Sequence, residues 1–340
     1  MTSSSSSLSS PRIFLQHLGD DYETVLREGF QWIDLKSKLK PNGTVFIKPN
    51  LTFPVFRQGV MTNPACVEAI VRVLKDYTSD IVIGEADSGG YNRFDINAVL
   101  EKTGIRALEK KYGIRVVNLS HLPRRDLEFG YKGREYKVPF PVLLLDETDL
   151  FITVPVPKIH MNTGVSMSIK NQWGCIPEPS IRLKLHPVLE KVLYEINKRH
   201  RNTLSVIDGK YGLNRSGPMQ GDAVELNWLM VADDLYAADF ACCQLMQINP
   251  RDIYYLRYIE KEEPGRRNQA LQFSRSYQEF VKTKFYLKRL WTDYPGLFAF
   301  HSFSLAYLAY YSPLSDFLHR LLYLFRKPFY DYESPEQTGK

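Results

Sequence analysis

Lysine, histidine, aspartate and asparagine recur at one kind of place in this 340-residue chain, directly after short apolar runs. The run Thr44 to Lys48 leads into Lys48-Pro49-Asn50, and Asp80 to Gly84 leads into Glu85-Ala86-Asp87-Ser88-Gly89-Gly90. Arg115 to Asn118 ends on an amide. Asp149 to Pro155 precedes Pro157-Lys158-Ile159-His160-Met161-Asn162-Thr163-Gly164, and Thr203 to Ile207 precedes Asp208-Gly209. Lysines and side-chain amides suit a phosphate or carboxylate. Carboxylates and histidine transfer protons or ligate a divalent ion. Lys48, Lys158 and Lys170 are therefore expected to meet negative charge, and Asn50 and Asn171 to orient the ligand. His160 or Asp208 is the expected proton-transfer or metal-ligating group, with Lys158 beside them in the catalytic set. Asp87 joins the ligand-binding set, while Asp234 and Asp239 support it or brace the last helix of the body.

Each group has a plainer explanation. Asp208-Gly209 makes an ordinary turn, and Lys48 an ordinary strand exit. His160 and His186 each fit a hydrogen-bonded structural imidazole. His160, His186 and Asp208 lack any standard metal-ligand spacing. The pattern is stronger than its parts because it repeats at five strand ends.

The elements that must deliver these groups alternate. The five apolar runs read as buried strands, and Leu226 to Val231 as a sixth. Helical spacing is read over Asn63 to Tyr77, Ile96 to Lys111, Asn162 to Gln172, Pro187 to Arg199 and Leu235 to Met246. Leu127 to Val138 reads as a hairpin around Lys132-Gly133. This alternation predicts an α/β fold, a mainly parallel sheet flanked by helices, with a mixed α+β arrangement as the alternative. In such sheets ligands bind beyond the carboxyl ends of the strands. The expected organisation is a disordered polar tail over residues 1–12, an α/β domain over 13–262 and a helical, aromatic and basic segment over 263–340.

Several chemistries are not supported. Gly84 to Gly90 lacks the Gly-x-Gly-x-x-Gly spacing, and neither Gly164 nor Gly174 opens a phosphate-binding loop of the Walker type. No Gly-x-Ser-x-Gly elbow occurs. The four cysteines, Cys66, Cys175, Cys242 and Cys243, form no Cys-x-x-Cys pair, which argues for packed thiols in a reducing cytoplasm. The first residues carry no basic and apolar secretory pattern, and no apolar stretch reaches 18 residues.

Ordered motifs add a resemblance. Ile47-Lys48-Pro49-Asn50-Leu51, Val60-Met61-Thr62-Asn63-Pro64 and Ile83 to Ser88 come first. Val156 to His160, Thr163-Gly164, Ser168 to Asn171 and Gly174 to Pro177 follow, with His186 where that block ends. Val206 to Gly209, Ser216 to Pro218 with Gly221, and Asp234 to Asp239 complete the set. Over roughly residues 13–262 the chain resembles the domain of unknown function 362 family. The resemblance implies an α/β enzyme or ligand-binding protein of unestablished chemistry. Many members are associated with iron–sulfur segments, and this chain departs there, having no cluster motif. A divalent metal remains compatible with the polar set.

The net charge of +6 is unevenly spread. From Lys282 to Tyr332 there are 16 aromatic residues, seven basic and three acidic, a net of +4 in that window alone. Leu314, Phe317, Leu318, Leu321, Leu322 and Phe325 form a helical stripe, with Arg320, Arg326 and Lys327 off it. An in-plane contact with a membrane surface is one expectation, and packing on the body or against a protein partner is the other. Nucleic acid is the weaker partner, because the charge is modest and no known module is present. The expectation for the whole chain is a cytoplasmic enzyme, peripheral to the membrane where the segment docks there, acting on a small anionic metabolite. The alternative is a non-catalytic binding or scaffold protein of a biosynthetic or membrane-associated assembly. The residues specify no reaction.

Overall fold

A computed structural model describes residues 10–88, 95–200 and 202–325. Residues 1–9 of the polar tail expected over 1–12, Gly89-Gly90, and Arg326 and Lys327 with the rest of the aromatic window lie outside the described residues, while Arg12 already opens the first strand.

Among the described residues twelve strands run in chain order as β1 (Arg12–His17), β2 (Val45–Pro49), β3 (Ile81–Glu85), β4 (Arg115–Asn118), β5 (Arg124–Tyr131), β6 (Arg134–Pro141), β7 (Leu150–Val154), β8 (Lys158–His160), β9 (Gly164–Ser166), β10 (Thr203–Asn214), β11 (Asp222–Ala232) and β12 (Gln272–Phe273). The helices are α1 (Tyr22–Trp32), α2 (Leu35–Lys38), α3 (Pro64–Leu74), α4 (Ile96–Lys102), α5 (Ala107–Tyr112), α6 (Ser168–Asn171), α7 (Pro179–Lys184), α8 (Leu189–Arg199), α9 (Leu235–Leu245), α10 (Tyr254–Glu262), α11 (Tyr294–Ala299), α12 (Phe303–Tyr310) and α13 (Ser315–Tyr323).

The main sheet has the order β12-β1-β11-β10-β7-β2-β3-β4. The five strands from β10 to β4 are parallel, and β11 lies antiparallel between β10 and β1. Its strands are apolar almost throughout because both faces are covered. Successive side chains point to opposite faces. Phe46, Val82, Phe151 and Ile207 therefore join one core, with residues of α8, α9 and α10. Ile47, Ile83, Ile152 and Val206 join the other, with residues of α1, α3 and α4. The fold class read from the residues, α/β with a mainly parallel sheet and C-terminal helices, is the one observed.

Local chemistry sets the elements. The Asn63 side chain accepts the N–H of Ala65, and Pro64 occupies the first turn, where no intrahelical N–H is needed, so α3 starts there. Such a cap stabilises by about 1 kcal/mol. The helix expected over residues 96–111 is two helices, because Gly104 takes φ +78° and breaks the ladder. The helix expected over residues 162–172 is also corrected. Gly164, at φ +80°, turns the chain into a short β8–β9 hairpin, and only one helical turn, α6, follows. The strand read as ending at Ile207 continues to Asn214 through an irregularity between Gly209 and Tyr211.

Residues beyond 263 begin with a short 3-10 turn and a strand, and their first α-helix starts only at Tyr294. Gln272 and Phe273 pair with β1, and the buried Phe280 and Phe285 belong to the core. Helices α11 to α13 then lie over the body, with α12 against α7. Among the described residues no helix is long and apolar enough to cross a membrane.

Candidate functional site

A chamber of about 300 Å³ opens beyond the ends of β2 and β3 and is walled by β8, α6 and α7. It holds four cations, Lys48, Lys158, Lys170 and Arg182, and two carboxylates, Glu85 and Asp293. Lys48 points inward from the end of β2 and donates to Glu85 Oε2 at 2.6 Å and to the Pro49 carbonyl at 2.9 Å. This lysine is thus neutralised by a buried partner, Glu85, which stands in the second strand-end run but has no role assigned to it from sequence. Gly174 makes room for the pair, since a Cβ there would sit 2.9 Å from Glu85 Oε1 and 3.0 Å from Lys48 Nζ.

Lys158 Nζ donates to the Val60 carbonyl at 3.1 Å, and Asn50 Nδ2 donates to the same oxygen at 2.7 Å. The Val60–Thr62 segment is itself fixed, because Thr62 Oγ1 donates to the Val154 carbonyl and accepts the Asn50 N–H. Burial, then repulsion from Lys170 and Lys48, pushes Lys158 down to about 7. Lys170 is also pushed down to about 7, first by burial and then by Arg182.

Lys170 Nζ lies 3.0 Å from His160 Nε2. The other ring nitrogen, Nδ1, accepts the N–H groups of Asn162 at 3.1 Å and Thr163 at 3.4 Å. Burial drives His160 well below its ordinary value, so the ring is neutral. Asn171 Nδ2 donates to the Lys48 carbonyl and to Thr153 Oγ1, which ties α6 to β2 and β7. Asp239 holds the start of α6, accepting the N–H of Ser168 at 2.7 Å and of Ile169 at 3.1 Å. Its carboxyl is pushed up to about 7 by burial.

Lys48, Asn50, Lys158, His160, Lys170 and Asn171 thus come together around the chamber. Two expected site residues do not line it. Asp208 is not at a strand end, because β10 continues past it, and the alternation that puts Leu204 and Val206 against α1 and α3 turns Asp208 the same way. It accepts from Tyr22 Oη at 2.9 Å, the Asn63 N–H at 2.8 Å and the Lys210 N–H at 3.2 Å. Asp87 stands beside the chamber but spends Oδ1 on the Ile96 N–H and on Asn118 Nδ2, anchoring the start of α4. Asp234 caps α9 through the Ala237 N–H and pairs with Arg266. Among the described residues no group of three or more His, Cys, Asp or Glu gathers as a metal site. The thiol of Cys175 is buried and pushed up to about 12 by that burial, so it packs rather than reacts.

Other contributors carry little signal in the sequence. Arg182 lies on α7, a helix that no apolar periodicity predicts, and donates to the Asp87 carbonyl. His186 donates from Nδ1 to the Arg182 carbonyl at 2.8 Å, and burial pushes it down to about 3. Its ring stacks on Phe300 at 3.8 Å between centroids, with Trp173 edge-on at 5.4 Å. Asp293, Phe300, Tyr310, His319 and Tyr323 bring the C-terminal helices into the chamber wall. Nothing in an aromatic stripe says which body it covers.

Known proteins show likeness to this chain. A family model described as Domain of unknown function (DUF362) matches residues 45–244. A thylakoid-associated protein of Synechocystis sp. is 26% identical over 231 residues, 63% of this chain and 66% of its own. A Thermotoga maritima protein of known structure has 14% identity and a TM-score of 0.45, covering 68% of this chain and 61% of its own. The lactate racemase apoprotein of Thermoanaerobacterium thermosaccharolyticum has 14% identity and a TM-score of 0.42, covering 70% and 57%. The matches thus span 57–66% of each relative's own length.

Proposed function

The chain belongs to the domain of unknown function 362 family, and from that premise we propose that its strand-end chamber binds a small phosphate- or carboxylate-bearing metabolite as an enzyme's substrate. One observation carries this reading. Besides the buried Lys48–Glu85 pair, Lys158, Lys170 and Arg182 line a chamber whose only other carboxylate among the described residues is Asp293. Burial and mutual repulsion disfavour the charged lysines. An arriving anion relieves that repulsion at Lys158, so binding the anion and protonating Lys158 assist each other. Asn50 and Asn171 hold the surrounding backbone, and Trp173 and Phe300 shield the polar base from water.

A thermal-shift screen of phosphorylated and carboxylated metabolites, with metal analysis of the purified chain, tests the reading. Anion-specific stabilisation that Lys158→Met removes is expected. No anion-specific shift would overturn it, and binding without turnover by any class of reaction would favour the non-catalytic alternative.

A second reading concerns location and rests on the outer surface of the same helices. Phe317 is 63% exposed and Leu324 76%, with Phe298, Leu321 and Phe325 also exposed. Lys284, Lys288, Arg289 and Arg320 belong to the same segment. Aromatic and aliphatic side chains flanked by basic ones favour an anionic membrane surface. The thylakoid-associated relative is in keeping with this. Co-sedimentation with vesicles containing anionic lipid should occur, and Phe317→Ser with Leu321→Ser should abolish it. Removing the whole segment is a poor test, because Phe280 and Phe285 are core residues.

A further inference from the structure

We propose that Lys170 is a nucleophilic amine that forms an imine with the carbonyl carbon of a small anion held in the chamber, and so acts as a catalytic residue rather than a fixed cation. This rests on the anion-binding reading above and adds the substrate class, a carbonyl compound bearing a carboxylate or phosphate.

The argument starts from the His160 tautomer. Its Nδ1 accepts two backbone N–H groups, from Asn162 and Thr163, so the ring proton of the neutral imidazole is on Nε2. That Nε2–H faces Lys170 Nζ at 3.0 Å. An ammonium group has three donors and no acceptor, so it cannot receive this hydrogen bond. Only a neutral amine can. The pairing therefore selects the unprotonated form of Lys170.

The cationic neighbours act the same way, and the second chamber carboxylate, Asp293, accepts the Leu290 N–H. Arg182 on α7 is a cation whose field disfavours an ammonium at Lys170. Lys158 on β8 lines the same chamber. His186, after α7, donates its Nδ1–H to the Arg182 carbonyl and stays neutral. The carboxylate of Glu85 is occupied by Lys48. A desolvated lysine beside another cation is an established way to make an amine nucleophilic at neutral pH. Lys158 and Arg182 line the same chamber, where the anionic end of the substrate would meet them and set its carbonyl beside Lys170.

The step balances without an external oxidant or reductant. The amine lone pair leaves its hydrogen bond with His160 and adds to the carbonyl carbon, and the carbonyl π pair moves to oxygen. Two N–H protons leave with that oxygen as water, and a C=N bond to Lys170 remains. Addition of water reverses the sequence.

The test is reductive trapping on the full chain. Glyoxylate supplies the carboxylate arm and glycolaldehyde phosphate the phosphate arm, each with sodium cyanoborohydride near neutral pH, followed by peptide mass mapping. The reduced adduct should form on Lys170 about tenfold or more faster than on an exposed lysine such as Lys132, since lysines of ordinary pKa are almost wholly protonated there. Glycolate should block the first arm and inorganic phosphate the second, and Lys170→Arg should carry no adduct. His160→Phe, which removes the Nε2–H, should move the midpoint of the pH profile for Lys170 labelling upward by about one unit. Binding of either probe in calorimetry without an adduct on Lys170, or with the adduct on Lys158 instead, overturns the imine and leaves the anion-binding reading standing. Failure of both probes to bind or to label overturns both.

Discussion

His186 and Phe300 stack with their ring planes 13° apart and their centroids 3.8 Å apart, joining the polar chamber to the C-terminal helices. The aromatic segment is therefore part of the site's wall and at the same time presents an apolar outer surface. Aromatic pairs of this kind are worth about 0.5–1.5 kcal/mol beyond their buried area. Phe300→Ala should lower stability by at least that much, because it also loses buried apolar area, and admit water to the chamber. Amine labelling of Lys158 and Lys170 should then accelerate relative to the wild type. Unchanged labelling would show that the segment does not close the site.

The Lys48–Glu85 pair is almost fully buried, at 1% and 6% side-chain exposure. Breaking one half leaves an uncompensated buried charge, a cost of about 3–5 kcal/mol. Glu85→Gln should therefore destabilise by that amount in urea titration. Adding Lys48→Met should recover most of it, because the amide oxygen introduced by Glu85→Gln can still accept an N–H from Leu51 or Ala86, both of which Glu85 now accepts. A double variant no more stable than Glu85→Gln would disprove the electrostatic account.

Lys158 sits at about 7 in the folded chain against an ordinary 10.5. Between those values the unfolded chain binds more protons at this site, so its contribution makes stability rise with pH across that window. Lys158→Met should flatten the rise, measured as the urea midpoint at several pH values. Anion binding has the opposite sense, because the charged lysine is the binding form. Affinity for a bound anion should fall as pH climbs through 7, with proton uptake in calorimetry above it.

Asp208 and Asp239 are both buried carboxylates that accept backbone N–H groups, yet they serve different parts of the fold. Replacing either by Asn turns one acceptor into a donor facing N–H or O–H groups, at about 1–3 kcal/mol. Asp208→Asn should lower the melting temperature and leave anion binding intact, since it braces α1 and α3 away from the chamber. Asp239→Asn should lower both, because it fixes the turn that carries Lys170 and Asn171. Loss of anion binding in Asp208→Asn with unchanged stability would return that residue to the site.

The layered α/β fold and most of the chamber's base are legible in the residues alone. Continuous apolar strands, the Asn63-Pro64 helix start and polar groups after strand ends are local signals, each written in a few adjacent residues. They suffice to nominate Lys48, Asn50, Lys158, His160, Lys170 and Asn171, all of which line the chamber. Partnership and direction come from the folded chain instead, because both depend on residues distant in sequence. Whether β10 stops at Ile207 or continues to Asn214 depends on its neighbour β11, and that choice turns Asp208 away from the site. Glu85 becomes the counter-charge of Lys48 because β2 and β3 lie side by side with their ends together. Phe300 meets His186 from far along the chain, a contact that no periodicity encodes. The nature of Lys170 likewise follows from which way one imidazole is turned, and two backbone N–H groups in the turn between β8 and β9 set that direction.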